Sequence, residues 1–196
     1  MLDETTLSLI RTFSYNHSEK DDIHGYSHVE RVYDLCLKLG KKLNANLLVL
    51  QVAALLHDVG RFQGANNIEN KNHAERSSEI ASNYLKSVKF DFSPNDFKNI
   101  IHSIRAHSFS NHIFPETLEA KILSDVDKLD ALGAIGLYRT IGFTIKNQGG
   151  IDHVIEHLEN KILKLKDRLY LDYSKELAIE KQKIILDFYN EIVKKF

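Results

Sequence analysis

The sequence predicts an all-α protein, a compact bundle of about eight helices. Apolar residues recur at i, i+3, i+4 and i+7 along most of the chain, which is the pattern of amphipathic helices. No segment alternates cleanly between apolar and polar residues, and only two prolines interrupt the 196 residues. A chain of this length is typical of one domain. We expect C-terminal helices at about 151–195 to pack on the preceding ones.

The first two helices of this bundle are predicted from their caps and apolar positions. One runs from about 28 to 43, with Ser27 as its N-terminal cap. The next runs from about 46 to 58 and is apolar on nearly all sides, so it should lie at the centre. Gly60 supplies its C-terminal stop. Residues 61–72, RFQGANNIENKN, are predicted to be a loop because of their Gly and Asn content.

The remaining helices follow the same periodicity. A capping serine followed by a proline at the first helical position, Ser93 and Pro94, is a strong start signal. Gly149 and Gly150 interrupt the pattern before the last two helices, which are long and charged on one face, as solvent-facing helices are. The six predicted ranges are about 73–89, 94–107, 116–130, 132–147, 151–169 and 174–195.

The composition argues against several kinds of partner. Lys and Arg number 26 against 27 Asp and Glu, and this net charge of −1 does not predict a nucleic-acid partner, which usually requires a basic excess. No apolar run approaches the roughly 20 residues that span a bilayer, so no membrane association is expected. The first residues, MLDETTLSLIRTF, lack the pattern of a secretory signal. The single cysteine, Cys36, is expected to be a core residue and fits a reducing compartment, so we predict a cytoplasmic protein.

Histidines, aspartates or both stand out in four places along the sequence. Each place is a weak signal, but imidazole nitrogens and carboxylate oxygens without thiolates are ligands that suit Mn, Fe, Zn or Mg. The apolar residues around His57 and Asp58 would make a buried carboxylate costly unless a partner compensated it. A divalent ion shared by several stretches of chain is therefore the favoured explanation. The four places are HGYSHVERV with His24 and His28, HDVGR with His57 and Asp58, the helices with His73, His102 and His107, and SDVDKLDALGAIG with Asp125, Asp127 and Asp130.

The order H…HD…D, on helices and with these spacings, resembles the HD-domain superfamily of metal-dependent phosphohydrolases. The chain is most similar to small stand-alone HD proteins related to bacterial nucleotide pyrophosphatases. The resemblance implies one HD domain over residues 1–196, with its metal-binding core at about 20–145. It rests on the runs His24–Val32, Leu55–Arg61, His107–Ser110 and Asp125–Gly136.

Carried over residue by residue, the resemblance implies that His28, His57, Asp58 and Asp127 bind a divalent metal ion. Asp127 is preferred to Asp125 because it directly precedes the Lys-Leu pair of the motif. The ion is expected to be Mn, Mg, Co, Ni, Fe or Zn, with Mn favoured. His57 and Asp58 are thereby also predicted to be catalytic.

The resemblance also places residues around the substrate. His73 and His107 fall where larger HD enzymes have second-metal or phosphate-contacting histidines, and we assign His107 to catalysis and both to substrate binding. His102 lies five residues before His107 and so faces elsewhere on the helix. Lys128 directly follows one predicted metal ligand and Arg61 lies three residues after another, and both are predicted to contact phosphate, with Arg61 also catalytic. For both residues the alternative is an ordinary salt bridge with a nearby acid.

The predicted reaction is hydrolysis of a phosphoanhydride or phosphate ester in a small phosphorylated molecule, most simply a nucleotide. HD nucleotidases that cleave monophosphates resemble H-D-x-x-E, whereas this chain has Arg61 at the position of the acid. An arginine favours a more highly charged substrate, such as a nucleoside triphosphate that releases pyrophosphate. Two alternatives stay open, a di-iron oxygenase of the same fold and a non-catalytic metal- or nucleotide-binding regulatory module. The sequence also leaves open whether the protein is a homodimer.

Overall fold

The computed structural model describes residues 2–61, 72–88 and 90–194. These residues form nine α-helices and three short 3₁₀ helices. Their only β-type pairing is an isolated bridge between Glu19 and Gly25. The all-α prediction is therefore confirmed. Among these helices, none has both the length and the apolar character that crossing a membrane requires.

The chain divides into two compact units, Met1–Ser124 and Asp125–Phe196. The prediction of a single HD domain over residues 1–196 is not tested by this division and stays a prediction. Helices α1 to α5 belong to the first unit, α7 to α9 belong to the second, and α6 begins in the first and ends in the second. Their bounds are α1 Glu4–Asn16, α2 Tyr26–Leu43, α3 Leu47–Leu56, α4 His73–Ser87, α5 Pro94–Ala106, α6 Leu118–Asp130, α7 Gly133–Lys146, α8 Ile151–Asn160 and α9 Asp172–Val193.

Helix α3 is the centre of the first unit, as its apolar sequence predicted. All its residues from Val49 to Leu56 are buried, and it contacts α1, α2, α4 and α5. The Asn46 side chain caps its N-terminus by accepting hydrogen bonds from the backbone N–H groups of Leu48 and Val49. A helix that is apolar on every side is stable only when neighbours cover every side.

The chain after α3 departs from the prediction. The helix ends at Leu56 rather than at residue 58, and a turn follows through Gly60. Gly60 is not a left-handed stop, because among the described glycines only Gly133 has a positive φ. It is instead a point of close approach, where a Cβ would lie 2.5 Å from the backbone N of Ser77 in α4. Residues 62–71 of the predicted loop lie outside the described residues.

The start of α2 was also predicted wrongly. The helix begins at Tyr26 with Gly25 as its cap, so Ser27 lies inside the first turn and does not cap it. Gly25 packs against the preceding loop so closely that a Cβ would lie 1.9 Å from the carbonyl oxygen of Asp21. The Asp21 carboxylate in turn accepts hydrogen bonds from the N–H groups of Ile23 and His24. This loop, rather than a serine cap, sets where α2 begins.

Two other elements were missed or misjudged. Helix α1 was not predicted, although Asp3 caps it by accepting a hydrogen bond from the N–H of Thr6. The predicted helix over 151–169 ends at Asn160, and two 3₁₀ helices follow, Ile162–Lys164 and Lys166–Arg168. A 3₁₀ helix has about three residues per turn, so the buried pair Ile162 and Leu165 fits it better than an α-helix.

The start signal at Ser93 and Pro94 and the burial of Cys36 were predicted correctly. The Ser93 hydroxyl accepts a hydrogen bond from the N–H of Asp96, and Pro94 occupies the first helical position of α5. The Cys36 side chain is fully buried on α2. Both outcomes follow from local chemistry and from the position of a residue on its helix face.

Candidate metal centre

His57 and Asp58 lie where α3 ends, inside the apolar centre of the first unit. His57 is the C-terminal cap residue of α3 and is fully buried. Its Nδ1 lies 2.8 Å from the carbonyl oxygen of Ala54, so Nδ1 carries the hydrogen and donates to that oxygen. In the neutral ring, Nε2 then carries a lone pair. This nitrogen points toward the Asp58 carboxylate, 3.6 Å from Oδ2.

Helix α5 ends in the same way. His107 is its C-terminal cap residue, is fully buried, and has its Nδ1 2.6 Å from the carbonyl oxygen of Ile104. The Ser124 hydroxyl holds the next stretch of backbone by donating to the His107 carbonyl at 3.0 Å. The His107 Nε2 lies 3.5 Å from Oδ1 of Asp58. Hydrogen bonding of one ring nitrogen to a carbonyl fixes the tautomer, which is typical of histidines that bind metals through the other nitrogen.

His28 and His73 come to the same carboxylate from α2 and α4. His28 is buried, and its Nε2 lies 3.7 Å from Oδ2 of Asp58. His73 is the first residue of α4, after the capping Asn72, and its Nε2 lies 3.7 Å from Oδ1. Each oxygen of Asp58 therefore faces two imidazoles. We call His28 and His57 the Oδ2 pair, and His73 and His107 the Oδ1 pair.

Arg61, in the turn after α3, contacts this cluster through its guanidinium group. Its Nε donates to Oδ2 of Asp58 at 2.7 Å, and its Nη2 donates to Nε2 of His73 at 2.8 Å. Burial by itself would raise the pKa of Asp58. The Arg61 guanidinium and the surrounding histidines outweigh burial and hold that pKa well below its usual range. Asp58 is therefore a carboxylate at every ordinary pH.

These residues fit a divalent metal ion on three counts. Two groups each offer ligand atoms within 4.8 Å of one another, His28 with His57 and Asp58, and Asp58 with His73 and His107. Within each pair the Nε2 atoms are 3.3 Å apart. This spacing matches ligands that share an ion, since atoms about 2.1 Å from one centre lie roughly 3 to 3.5 Å apart. Among the described residues, Oδ1 of Asp58 is a buried oxygen that no donor reaches by a hydrogen bond, which is costly without a cation.

The aspartates of the fourth motif lie at the end of α6, in the second unit. Asp125 is fully buried and accepts hydrogen bonds from the backbone N–H groups of Tyr170 and Leu171, both at 2.9 Å. Asp127 is only partly buried. Lys128 is buried near the Tyr170 ring. Burial lowers the pKa of its ammonium group, although the negative charges of Asp127 and Asp125 act to raise it. The roles of Asp127 as a ligand and of Lys128 as a phosphate contact stay predictions.

His102 stands apart from the cluster. Its Nε2 accepts a hydrogen bond from the backbone N–H of Glu116 at 3.0 Å, so it holds the segment that leads into α6. Sequence reasoning found each histidine of the cluster, but it missed the bond between Arg61 and His73. The only available signal was the position of Arg61 three residues after Asp58, which does not identify His73 as a partner.

The histidine pairs and Asp58 all lie within a stretch of chain that matches a known family. A family model described as the HD domain matches residues 25–132, which is more than half of the chain. The chain belongs to the HD domain family, as its motifs predicted, and so to a superfamily of phosphohydrolases.

Particular relatives agree with this assignment. The uncharacterized protein YpgQ of Bacillus subtilis (strain 168) is 30% identical over 179 residues, which cover 87% of this chain and 83% of YpgQ. The crystal structure of Bacillus subtilis YpgQ in complex with ADP superposes with a TM-score of 0.77 at 27% identity, covering 98% of this chain and 95% of YpgQ. An HD-superfamily hydrolase from Bacillus thuringiensis shares the fold, with a TM-score of 0.72 at 24% identity and coverage of 98% and 97%.

Proposed function

We propose that this protein is a divalent-metal-dependent phosphohydrolase that cleaves nucleoside triphosphates to a monophosphate and pyrophosphate. The observation that carries the proposal is the buried Asp58 carboxylate, which two pairs of histidines surround at 3.5 to 3.7 Å. Manganese is the favoured ion, and imidazole and carboxylate ligands without thiolate are compatible with it. The nucleotide is supported by the similar YpgQ protein, whose structure was solved in complex with ADP.

The Oδ2 pair and Asp58 would hold the ion, with Asp127 as the fourth protein ligand. When bound, a divalent ion makes water more acidic and offsets the negative charge of the phosphates. His28 and His57 suit this role because they are buried and their Nε2 atoms lie 3.3 Å apart. The hydrogen bond from His57 to the Ala54 carbonyl keeps the ligand nitrogen correctly oriented.

Arg61 and the Oδ1 pair would face the phosphate groups, together with Lys128. Arg61 is anchored at two points, yet its side chain is 30% exposed, so a phosphate can approach it. A planar guanidinium suits phosphate oxygens better than an ammonium does. In the reaction, an oxygen from water bonds to the α-phosphorus and the bond to the bridging oxygen breaks. Pyrophosphate leaves, and the water proton passes to solvent or buffer.

His107 has two roles compatible with its geometry. Because Nδ1 donates to the Ile104 carbonyl, Nε2 can donate to phosphate only when the ring is an imidazolium. A neutral His107 would instead bind a second metal ion with Asp58 and His73, which form the second ligand group. The two roles differ in the number of ions that each chain binds.

The test is a panel of nucleoside tri-, di- and monophosphates assayed with Mn, Mg, Co and Ni, with the products identified. We expect triphosphates to be preferred and pyrophosphate to be released. Charged hydrogen bonds contribute roughly 1.5 to 3 kcal/mol, so Arg61→Ala should lower kcat/KM for triphosphates by about 10- to 150-fold, and for monophosphates much less. Equal losses on both substrates, or orthophosphate as the sole product, would indicate a general phosphatase instead.

Measurements of metal content, O₂ consumption and nucleotide turnover on the same purified protein distinguish the alternative functions. A di-iron oxygenase would contain iron and consume O₂ with an organic substrate, whereas the proposed enzyme requires no O₂. A regulatory module would bind metal and nucleotide without turnover. Iron content with O₂ consumption, or nucleotide binding with no product, would each replace the proposal.

A further inference from the structure

Arg61 contacts one member of the Oδ1 pair directly through a ring nitrogen. The Nε2 of His73 accepts a hydrogen bond at 2.8 Å from Nη2 of Arg61. Arginine has only donors and stays protonated in proteins, so the nitrogen of His73 must supply the lone pair. A metal ion bound by His73 through Nε2 would need that same lone pair. Arg61 and a metal ion therefore exclude each other at this atom.

The hydrogen bond from Arg61 to Asp58 does not exclude a metal ion in this way. Its Nε donates to Oδ2 of Asp58 at 2.7 Å, but a carboxylate oxygen has more than one lone-pair site. Oδ2 can therefore accept from Arg61 and still bind an ion with His28 and His57. Arg61 thus competes with an ion at the Oδ1 pair and leaves the Oδ2 pair available.

We propose that Arg61 sets the number of metal ions in the cluster. Its guanidinium serves as the second cation beside Asp58, so one ion binds tightly with His28 and His57. A second ion, at His73 and His107, must first displace the guanidinium. This inference rests on the metal centre of the proposed function and adds to it the residue that fixes its stoichiometry.

Titration of the metal-free protein with Mn²⁺ alone tests this inference. Bound ions are counted by elemental analysis and by calorimetry, and electron paramagnetic resonance separates a single Mn²⁺ from a coupled pair. Wild type should bind one ion tightly. Arg61→Ala and Arg61→Met should bind two, with the Kd of the second ion lowered by about 10- to 150-fold, the equivalent of one charged hydrogen bond.

Two further variants make the experiment specific. Arg105→Ala removes the same charge from an exposed arginine on α5 that pairs with Glu75, so it should keep the wild-type count. The double variant Arg61→Ala with His73→Ala should return to one ion, because the gained ion requires His73. Arg61→Met keeps an apolar stem at this position and provides a second measurement if the alanine variant folds poorly.

Two tight ions in wild type, or one ion in both folded Arg61 variants, would overturn the inference while leaving the proposed function intact. A wild type that binds no Mn²⁺ would overturn both. A second ion that persists in the double variant would show that it binds elsewhere than at His73, and would also overturn the inference.

Discussion

The two histidine pairs approach one carboxylate with the same chemistry, but their surroundings differ. In the Oδ2 pair both side chains are buried, at 1% and 0% exposure. In the Oδ1 pair His107 is buried, but the His73 side chain is 19% exposed and accepts a hydrogen bond from Arg61. The Oδ2 pair is thus shielded from solvent, whereas the Oδ1 pair includes a partly exposed histidine, His73, beside the Arg61 guanidinium.

This difference predicts that the two histidine pairs have separate roles around Asp58. Burial of both histidines in the Oδ2 pair favours a resident ion, because little water reaches ligands that are shielded from solvent. The partial exposure of His73 and Arg61 predicts that a charged substrate approaches on the side of the Oδ1 pair. Variants of the two pairs and of their neighbours test this difference.

Removing the carboxylate that the pairs share should have the largest effect. Asp58→Asn keeps the shape of the side chain but removes its charge, so neither pair retains its anionic ligand. A bound ion contributes several kcal/mol to transition-state stabilisation, so we expect activity to fall by about 100- to 1000-fold or more and bound metal to be largely lost. Metal analysis and steady-state kinetics measure both. A variant that keeps full metal content and turnover would contradict the assignment of Asp58.

Truncating one matched histidine from each pair should separate the two roles. His57 and His107 both cap a helix and both donate from Nδ1 to a carbonyl three residues earlier. His57→Ala should remove most of the metal and the activity. His107→Ala should keep one ion and lower kcat by about 10- to 150-fold, the value of one charged contact. If His107→Ala instead loses an ion from a two-ion wild type, the centre is binuclear.

A substitution at Gly60 should affect the Oδ1 pair only through the packing of α4, which carries His73. In Gly60→Ala, the new Cβ would lie 2.5 Å from the backbone N of Ser77 and 2.8 Å from the backbone O of His73. Helix α4 would have to shift, which should cost about 1 to 3 kcal/mol. Thermal unfolding measures this loss. Gly150→Ala is the control, because nothing lies within 4 Å of its Cβ. Equal melting temperatures for both variants would contradict this account.

His102 should show the smallest effect, and one that depends on pH. Burial lowers its pKa below the ordinary 6.5, so the folded protein favours the neutral ring. The stability it contributes is therefore present above pH 6.5 and is lost as the pH falls through the folded-state pKa. His102→Ala should lower the free energy of unfolding by about 1 kcal/mol at pH 7.5, the value of its bond to Glu116, and by less at lower pH.

Urea unfolding of wild type and His102→Ala at several pH values measures this difference. Metal content and turnover should match wild type, because His102 faces away from the cluster. A deficit that stays constant from pH 7.5 to acid pH would show that the ring acts through packing rather than through its neutral nitrogen.

Much of the helical layout was predictable because its causes are local. The apolar run of α3 predicted a central helix, and Ser93 with Pro94 predicted the start of α5. The errors came where distant chain decides the outcome. Gly25 and not Ser27 begins α2, because the loop containing Asp21 packs against Gly25. Gly60 is required by the approach of α4 rather than by a left-handed turn.

The same distinction applies to the site. From the sequence alone, the HD dipeptide and the histidine spacings identified the candidate site residues that the structure brings together. The packing of separate helices sets how they pair around Asp58, with His28 beside His57 and His73 beside His107. It also decided that Arg61 bonds to His73, across a stretch of chain whose sequence gives no sign of the contact. Motifs record which side chains are present, whereas distances between their atoms depend on how separate helices pack.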